Sequence, residues 1–419
     1  MGRHKALVAA TGVLALVLTA CGSSNAADDV TVTSFVTGSP ESSAVASEPA
    51  TSSAAASTSE SASASTSASP TATQSGDGTV QEGVAMPSGF VPTKLKDGEK
   101  PPQFIVVSFD GVGWHEKWQH WFDVGKQVPF HFTGFLSGTY MLSDQTKMAY
   151  QGPGHSPGNS SISWNSPADL PVEIQDLNQA IDEGNEIGTH FNGHFCAGAE
   201  PSGNQWTTAD WNSELDSFFS LVKNVKANNP GVQMDDLKLT PDMVKGERTP
   251  CLEGKAEELF PALIAHNMSY DSSFTETGIS WPKKSPQYGI WRLGMATFPI
   301  NGTGKRQITM DYNFYYTQRN ADSKGVTPEE SAGDQAQVLA TYNDMYNATY
   351  NGNRAPLILG NHFNEWNNSA YANALTDFVV SKCGQPDTYC VPFRDLIAWM
   401  DVQDPAVLAQ LQALPAEGA

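Results

Sequence analysis

Beyond residue 100 the apolar positions follow two alternating periods. Phe104-Ile105-Val106-Val107-Ser108-Phe109 is an almost unbroken β-branched and aromatic run ending at Asp110. That pattern predicts a strand buried on both faces of a parallel sheet. Leu357-Ile358-Leu359-Gly360 predicts a second such strand, and Glu186-Ile187-Gly188-Thr189 a shorter one. Between them the period becomes helical. Ile174, Leu177 and Ile181 mark a helix over 173–183 that stops at Gly184, and Trp211, Leu215, Phe218, Phe219, Val222 and Val225 form one apolar stripe suited to core packing. Residues 253–266 predict another helix. Thr327-Pro328-Glu329-Glu330 joins an N-cap, a proline at the first helical position and a glutamate at the third, and so opens a long helix. Helices over 369–381 and 393–400 close the pattern. Repeated strand–helix units predict an α/β domain, either a barrel or an open doubly wound sheet. In both, chemistry gathers beyond the strand C-termini, and Asp110, His190 and His362 each follow a predicted strand.

The N-terminal part has a different character. Residues 22–91 are rich in Ser, Ala, Thr and Pro and contain no Lys or Arg. Such a segment buries too little apolar area to offset its chain entropy, so 21–93 is expected to be a disordered tether, with a folded domain over 94–405 and a short tail over 406–419. Arg3, His4 and Lys5 precede an apolar stretch over 6–20, too short for a comfortable membrane span. Leu18-Thr19-Ala20-Cys21 resembles a bacterial lipobox. Residues 1–20 are then a signal peptide and Cys21 carries the lipid, which implies an extracytoplasmic protein held to the membrane by its anchor alone. The formal charge of -21 excludes a basic face, so neither nucleic acid nor an anionic lipid surface is an expected partner.

Four further cysteines, Cys196, Cys251, Cys383 and Cys390, predict two disulfides in an exported chain. Cys383 and Cys390 enclose a short polar loop, which suggests a local bridge and leaves Cys196 with Cys251; a cysteine metal site is the rival reading. The sharpest chemical signal is His190-Phe191-Asn192-Gly193-His194. Two imidazoles so spaced can converge on one divalent ion if the backbone turns between them. Asp110 is a candidate third ligand, a general base or a turn cap. Arg248, before Thr249-Pro250-Cys251, could orient a carboxylate and lower its pKa. His362 is a candidate proton donor or a structural histidine.

Taken together these segments resemble the polysaccharide deacetylase family, the NodB-homology carbohydrate esterases, over about residues 100–402. Ser108-Phe109-Asp110-Gly111 is similar to the family's Thr-Phe-Asp-Asp-Gly, with Gly111 in place of the second aspartate. His190 and His194 match its His-Thr/Ser-x-x-His, and Arg248-Thr249-Pro250-Cys251 is similar to Arg-x-Pro-Tyr. Tyr270-Asp271-Ser272-Ser273 and the run ending in His362 resemble its later motifs. The resemblance implies a distorted (β/α) barrel. It implies metal-dependent hydrolysis of N-acetyl or O-acetyl groups on a polysaccharide such as peptidoglycan or a chitin-like chain. A divalent ion, zinc by preference, would sit on His190 and His194, with Asp110 as base or as third ligand. Arg248 would keep Asp110 ionised, the Cys251 N–H would hold the oxyanion, and His362 would protonate the departing amine. A Cys196–Cys251 bridge would tie two site loops. Trp114, Asp271, Trp291 and Trp366 are the candidate sugar contacts. The lost second aspartate leaves an alternative, a catalytically degenerate lipoprotein that binds glycan.

Overall fold

A computed structural model describes residues 80–419. The signal peptide, Cys21 and most of the tether lie outside these residues. The strands are β1 (Gln103–Asp110), β2 (Thr133–Leu136), β3 (Glu186–Thr189), β4 (Gly246–Glu247), β5 (Tyr270–Asp271), β6 (Glu276–Thr277), β7 (Lys283–Lys284), β8 (Trp291–Arg292), β9 (Ala296–Pro299), β10 (Arg306–Ile308), β11 (Leu357–His362) and β12 (Thr388–Cys390). The helices are α1 (His115–Gln127), α2 (Leu170–Asp182), α3 (Thr208–Lys223), α4 (Val225–Asn228), α5 (Ala256–Ala265), α6 (Asp311–Arg319), α7 (Pro328–Asn351), α8 (Trp366–Lys382), α9 (Phe393–Val402) and α10 (Pro405–Gln412).

β1 is the axis. Every residue of it is buried, and it pairs in parallel with β11 along its length, with β12 beside its first half and β2 beside its second. The main sheet runs β11-β1-β2-β3-β4-β5-β8-β7, parallel except for the last pair. A smaller sheet, β10-β9-β6, meets the β11 end, where Met310 bridges Gly360. The main sheet has the curl of the expected distorted barrel, with several strands only two residues long. The pleat sends successive β1 side chains to opposite faces. Phe109 packs outward, its ring 4.7 Å from Trp121 of α1 and 5.2 Å from Phe363, while Ser108 and Asp110 turn inward. The register sets Asp110 directly beside His362 at the C-terminal ends of β1 and β11.

The expected helix starts hold where side chains cap them. Thr207 with Asp210 and Thr327 with Glu330 form reciprocal capping boxes at α3 and α7. Both disulfides form, Cys196–Cys251 and Cys383–Cys390, with Cα separations of 6.1 and 5.5 Å. Among the described residues no helix is long and apolar enough to cross a membrane.

Two boundaries move. The packed chain begins before residue 94: Phe90, a lone aromatic in a polar stretch, lies 5.8 Å from Phe104 and 5.3 Å from Tyr389, and Ser88 Oγ donates to Asp395. At the other end, 406–419 is not a loose tail. Leu411 of α10 is buried, and Glu417 pairs with Ile279 and accepts from Asn353 N–H at 3.1 Å. In both cases one apolar or hydrogen-bonding anchor holds a segment whose composition reads as solvent-exposed.

Because Phe109 seats α1 and the loop after β11 on the same strand, Phe109→Ala should lower stability by about 3–5 kcal/mol, read from urea denaturation.

Candidate active site

The pocket is assembled at the strand ends around one buried cation. Arg248 follows β4 and is wholly inaccessible to solvent. Its guanidinium donates to Asp110 Oδ1 at 2.7 Å and Ser108 Oγ at 2.8 Å on β1, and to Ser272 O at 3.1 Å and Ser272 Oγ at 2.8 Å after β5. Each guanidinium nitrogen thus has an acceptor, and four of its five N–H donors are matched, which is how a buried charge is tolerated. Burial by itself pushes the Asp110 carboxyl up. The Arg248 guanidinium, with the His190 and His362 rings, outweighs that and holds it below the ordinary carboxylate range.

His190 sits on the same centre. Its Nδ1 lies 2.7 Å from the Arg248 carbonyl oxygen. A carbonyl only accepts, so Nδ1 carries the proton and Nε2 keeps a free lone pair. Burial also lowers its pKa. The His194 ring lies 5.2 Å from that of His190, and burial next to His190 takes its pKa down to about 3, which keeps it neutral. Two neutral imidazoles, one with its tautomer set by a backbone acceptor, suit a divalent cation such as zinc. On the oxygen side, a Cβ built on Gly111 would lie 3.6 Å from Ser137 Oγ, 3.8 Å from Tyr140 Oη and 4.0 Å from His190 Cδ2. Ser137 Oγ is buried with no hydrogen-bond partner. The pocket beside Gly111 therefore fits a polar or ionic guest rather than apolar filling.

Asp110 faces Arg248. Among the described residues, the trio with donor atoms mutually within 4.8 Å is His194, Cys196 and Cys251, and both of its sulfurs are consumed in the disulfide. The cysteine metal site is thereby excluded, and Asp110, His190 and His194 do not form such a trio. Cys251 lies in a tight turn with left-handed backbone (φ 56°), bridged to Cys196 beside His194, so the turn after Arg248 and the loop after His190 are covalently joined.

His362 faces Asp110 across the register and has a partner that the sequence reading missed. Asp311, the first residue of α6, accepts from His362 Nδ1 at 2.8 Å and from the His362 backbone N–H at 2.8 Å, and Asn364 Nδ2 donates to it at 2.8 Å. Burial pulls the His362 pKa down, but Asp311 overrides it and the net shift is upward.

The candidate sugar contacts divide. Asp271 and Trp291 are in the interior, 0 % and 3 % exposed. Asp271 is paired with Glu247 on the neighbouring strand, and burial raises the pKa of both carboxyls. Neither can meet a sugar ring at that degree of burial. Trp366 is half-buried, 5.4 Å from the His362 ring and stacked on Tyr315, and Trp114 is 38 % exposed. Lys117 lies over the Trp114 ring and pairs with Glu365 at 2.7 Å, so the two indoles belong to one rim.

No protein-family model and no curated protein matches the chain. Among solved structures it is similar to a candidate polysaccharide deacetylase from Mycobacterium smegmatis, at 14 % identity over 78 % of this chain and 98 % of that one, with a TM-score of 0.47. A family 4 carbohydrate esterase from Streptomyces lividans, solved with acetate, aligns at 11 % identity over 68 % and 91 % of the two chains, TM-score 0.33. The chitin deacetylase of Colletotrichum lindemuthianum aligns at 12 % over 67 % and 83 %, TM-score 0.37.

Arg248→Met should leave the Asp110 carboxylate buried without a partner, at a cost of about 3–5 kcal/mol. In the wild type the depressed Asp110 pKa contributes stability above the ordinary carboxylate range, lost as pH falls through the folded value. Denaturation at graded pH should show that acid loss in the wild type and not in the variant.

Proposed function

We propose that this pocket removes acetyl groups, N-acetyl before O-acetyl, from a polysaccharide of peptidoglycan or chitin-like type, by metal-dependent hydrolysis. The observation that carries the reading is a pair of oppositely tuned groups on register partners: Asp110 ion-paired with Arg248, which lowers its pKa, and His362 bonded to Asp311, which raises its pKa. Two titratable groups pushed apart in this way form a base and an acid on either side of one reacting centre.

His190 and His194 would hold a divalent ion, zinc by preference, which would supply Lewis-acid polarisation of an acetyl carbonyl and lower the pKa of water. Asp110 accepts the proton of the attacking water as the new C–O bond forms, and Arg248 steadies its charge beforehand. The backbone N–H of Cys251 faces the developing oxyanion, where one such donor contributes about 3 kcal/mol. His362 gives its proton to the sugar nitrogen as the C–N bond breaks, so acetate and a free amine leave together. Asp311 holds the His362 ring by Nδ1, which aims Nε2 at the leaving group. Trp366 and Trp114 form the rim on which sugar rings stack, their apolar faces matching the axial C–H side of a pyranose.

A second reading, glycan binding without turnover, is favoured by one feature. Gly111 offers no carboxylate beside the imidazoles, and Asp110 is committed to Arg248. Retention of glycan without acetate release in metal-loaded protein would select it. The location we propose is extracytoplasmic, tethered through Cys21; the two disulfides, which persist in oxidising surroundings, support it.

With N-acetylglucosamine oligomers as substrate, the metal-loaded chain should release acetate, and His190→Ala should lose both bound metal and activity; full activity in that variant would refute the assignment. His362→Ala should cost roughly a hundredfold or more in kcat. Asp311→Asn removes the anion that raises the His362 pKa, so the alkaline limb of the pH–rate profile should move to lower pH.

A further inference from the structure

The turn between the two imidazoles is an unfavourable piece of backbone. Phe191 and His194, neither of them glycine, have φ of 57° and 53°. Residues in the left-handed region persist only where the surroundings over-determine them. The hydrogen bonds of this turn show what does so. On the inner side, Gly138 N–H donates to Phe191 O at 2.7 Å and Thr139 Oγ1 to Asn192 O at 3.3 Å. The approach is so close that a Cβ on Gly138 would lie 2.0 Å from Asn192 Oδ1. Ser161 N–H donates to Gly193 O at 2.8 Å. Phe191 N–H donates to Thr189 Oγ1 at 2.9 Å, and the N–H groups of Asn192 and Gly193 both point at one carboxylate.

That carboxylate is Glu214, on the middle of α3 and 0 % exposed. Its Oε1 accepts from Asn192 N–H at 3.1 Å and Gly193 N–H at 3.4 Å. Tyr150 Oη donates to it at 2.9 Å and in turn accepts from Gly193 N–H at 3.0 Å. Asn192 Nδ2 donates to the backbone carbonyl of Glu214 at 2.8 Å, so the turn is fastened to the side chain and the main chain of one helical residue. All the groups facing the carboxylate are donors. A carboxylate meets them with two acceptor oxygens, Tyr150 Oη also lying 3.0 Å from Oε2; an amide of the same shape keeps one acceptor and puts an N–H donor in the place of the other, against the Tyr150 hydroxyl that now donates there.

We infer that Glu214, with Tyr150 as its partner, is a positioning residue that sets the mutual angle of the His190 and His194 imidazoles. The inference rests on the reading of those two side chains as a metal pair. It assigns a task to a carboxyl group buried in the apolar face of α3, where packing alone would favour leucine. It also accounts for the conformation of the loop: the carboxylate gathers consecutive N–H groups on one side, which turns the following residue left-handed and brings His194 back toward His190.

The test uses the full chain loaded with Co2+, with affinity from equilibrium dialysis and ligand geometry from the visible d–d absorption. Glu214→Gln conserves volume. It should weaken Co2+ binding at least tenfold and shift the d–d bands, while near-ultraviolet circular dichroism stays that of the folded protein. Tyr150→Phe should weaken binding by a smaller factor, and the double variant should be no worse than Glu214→Gln, because the tyrosine acts through the glutamate. Wild-type affinity and spectrum in Glu214→Gln would overturn the inference. If that variant does not fold, an unchanged Tyr150→Phe overturns it. Failure of the metal reading is distinguished by His190→Ala: should it bind Co2+ as tightly as the wild type, the pair is not a metal site. The clamp is then judged by the 15N chemical shifts of His190 and His194 in ion-free protein, which should move in Glu214→Gln and whose constancy would overturn it.

Discussion

The architecture of the pocket depends on placing one guanidinium where no water reaches it. Arg248 is surrounded by β1, by the segment after β5 and by the Phe135 ring 4.8 Å from its centre. A charge in that position destabilises the fold unless its donors are matched, and the partners it recruits are the ends of several different strands. Satisfying it holds Asp110 ionised, sets the position of the Ser272 segment and, through its own carbonyl, fixes the tautomer of His190. Fold and chemistry thus share one constraint: the barrel wall must converge on Arg248, and the groups that converge are those the pocket uses.

A second layer of buried acids surrounds this centre, and each has a different task. Asp311 orients His362 and raises its pKa. Glu214 gathers the donors of the 191–193 turn. Glu253 Oε1 accepts from Ala197 N–H at 2.8 Å and so links the loop after His194 to the turn that holds Cys251. Glu247 and Asp271 stand side by side on β4 and β5, where burial raises both pKa values. The acidic composition of the chain is therefore not only a property of its surface.

Much of this was legible in the sequence wherever a local pattern carries the information. The apolar runs of β1 and β11 gave away two strands and the candidate residues at their ends, because burial on both faces leaves an unmistakable composition. The Thr-Pro-Glu-Glu start of α7 is self-contained, and so is the His-x-x-x-His spacing. The rest was hidden for physical reasons. Asp311 stands 51 residues before His362, and only the closure of β10 against β11 brings them together. Glu214 is a single polar position in an apolar helical stripe. The two-residue strands β4, β5 and β8 are too short to show a period, so nothing local reveals that Asp271 and Trp291 face inward. Phe90 and Leu411 hold segments whose overall composition is that of loose chain.

The Cys196–Cys251 bond spans 55 residues of sequence and joins the loop that carries one imidazole to the turn that follows the central arginine. Hydrophobic burial can complete the strands and helices in any compartment, yet this tie forms only where thiols are oxidised. Translation in a reducing cytosol would yield a chain with its scaffold intact and its two pocket loops joined by hydrogen bonds alone, such as Ala197 N–H to Glu253 Oε1. Maturation of the pocket is in that sense a property of the destination as well as of the polypeptide, and a preparation's thiol titre becomes a measure of how many molecules have a finished cleft.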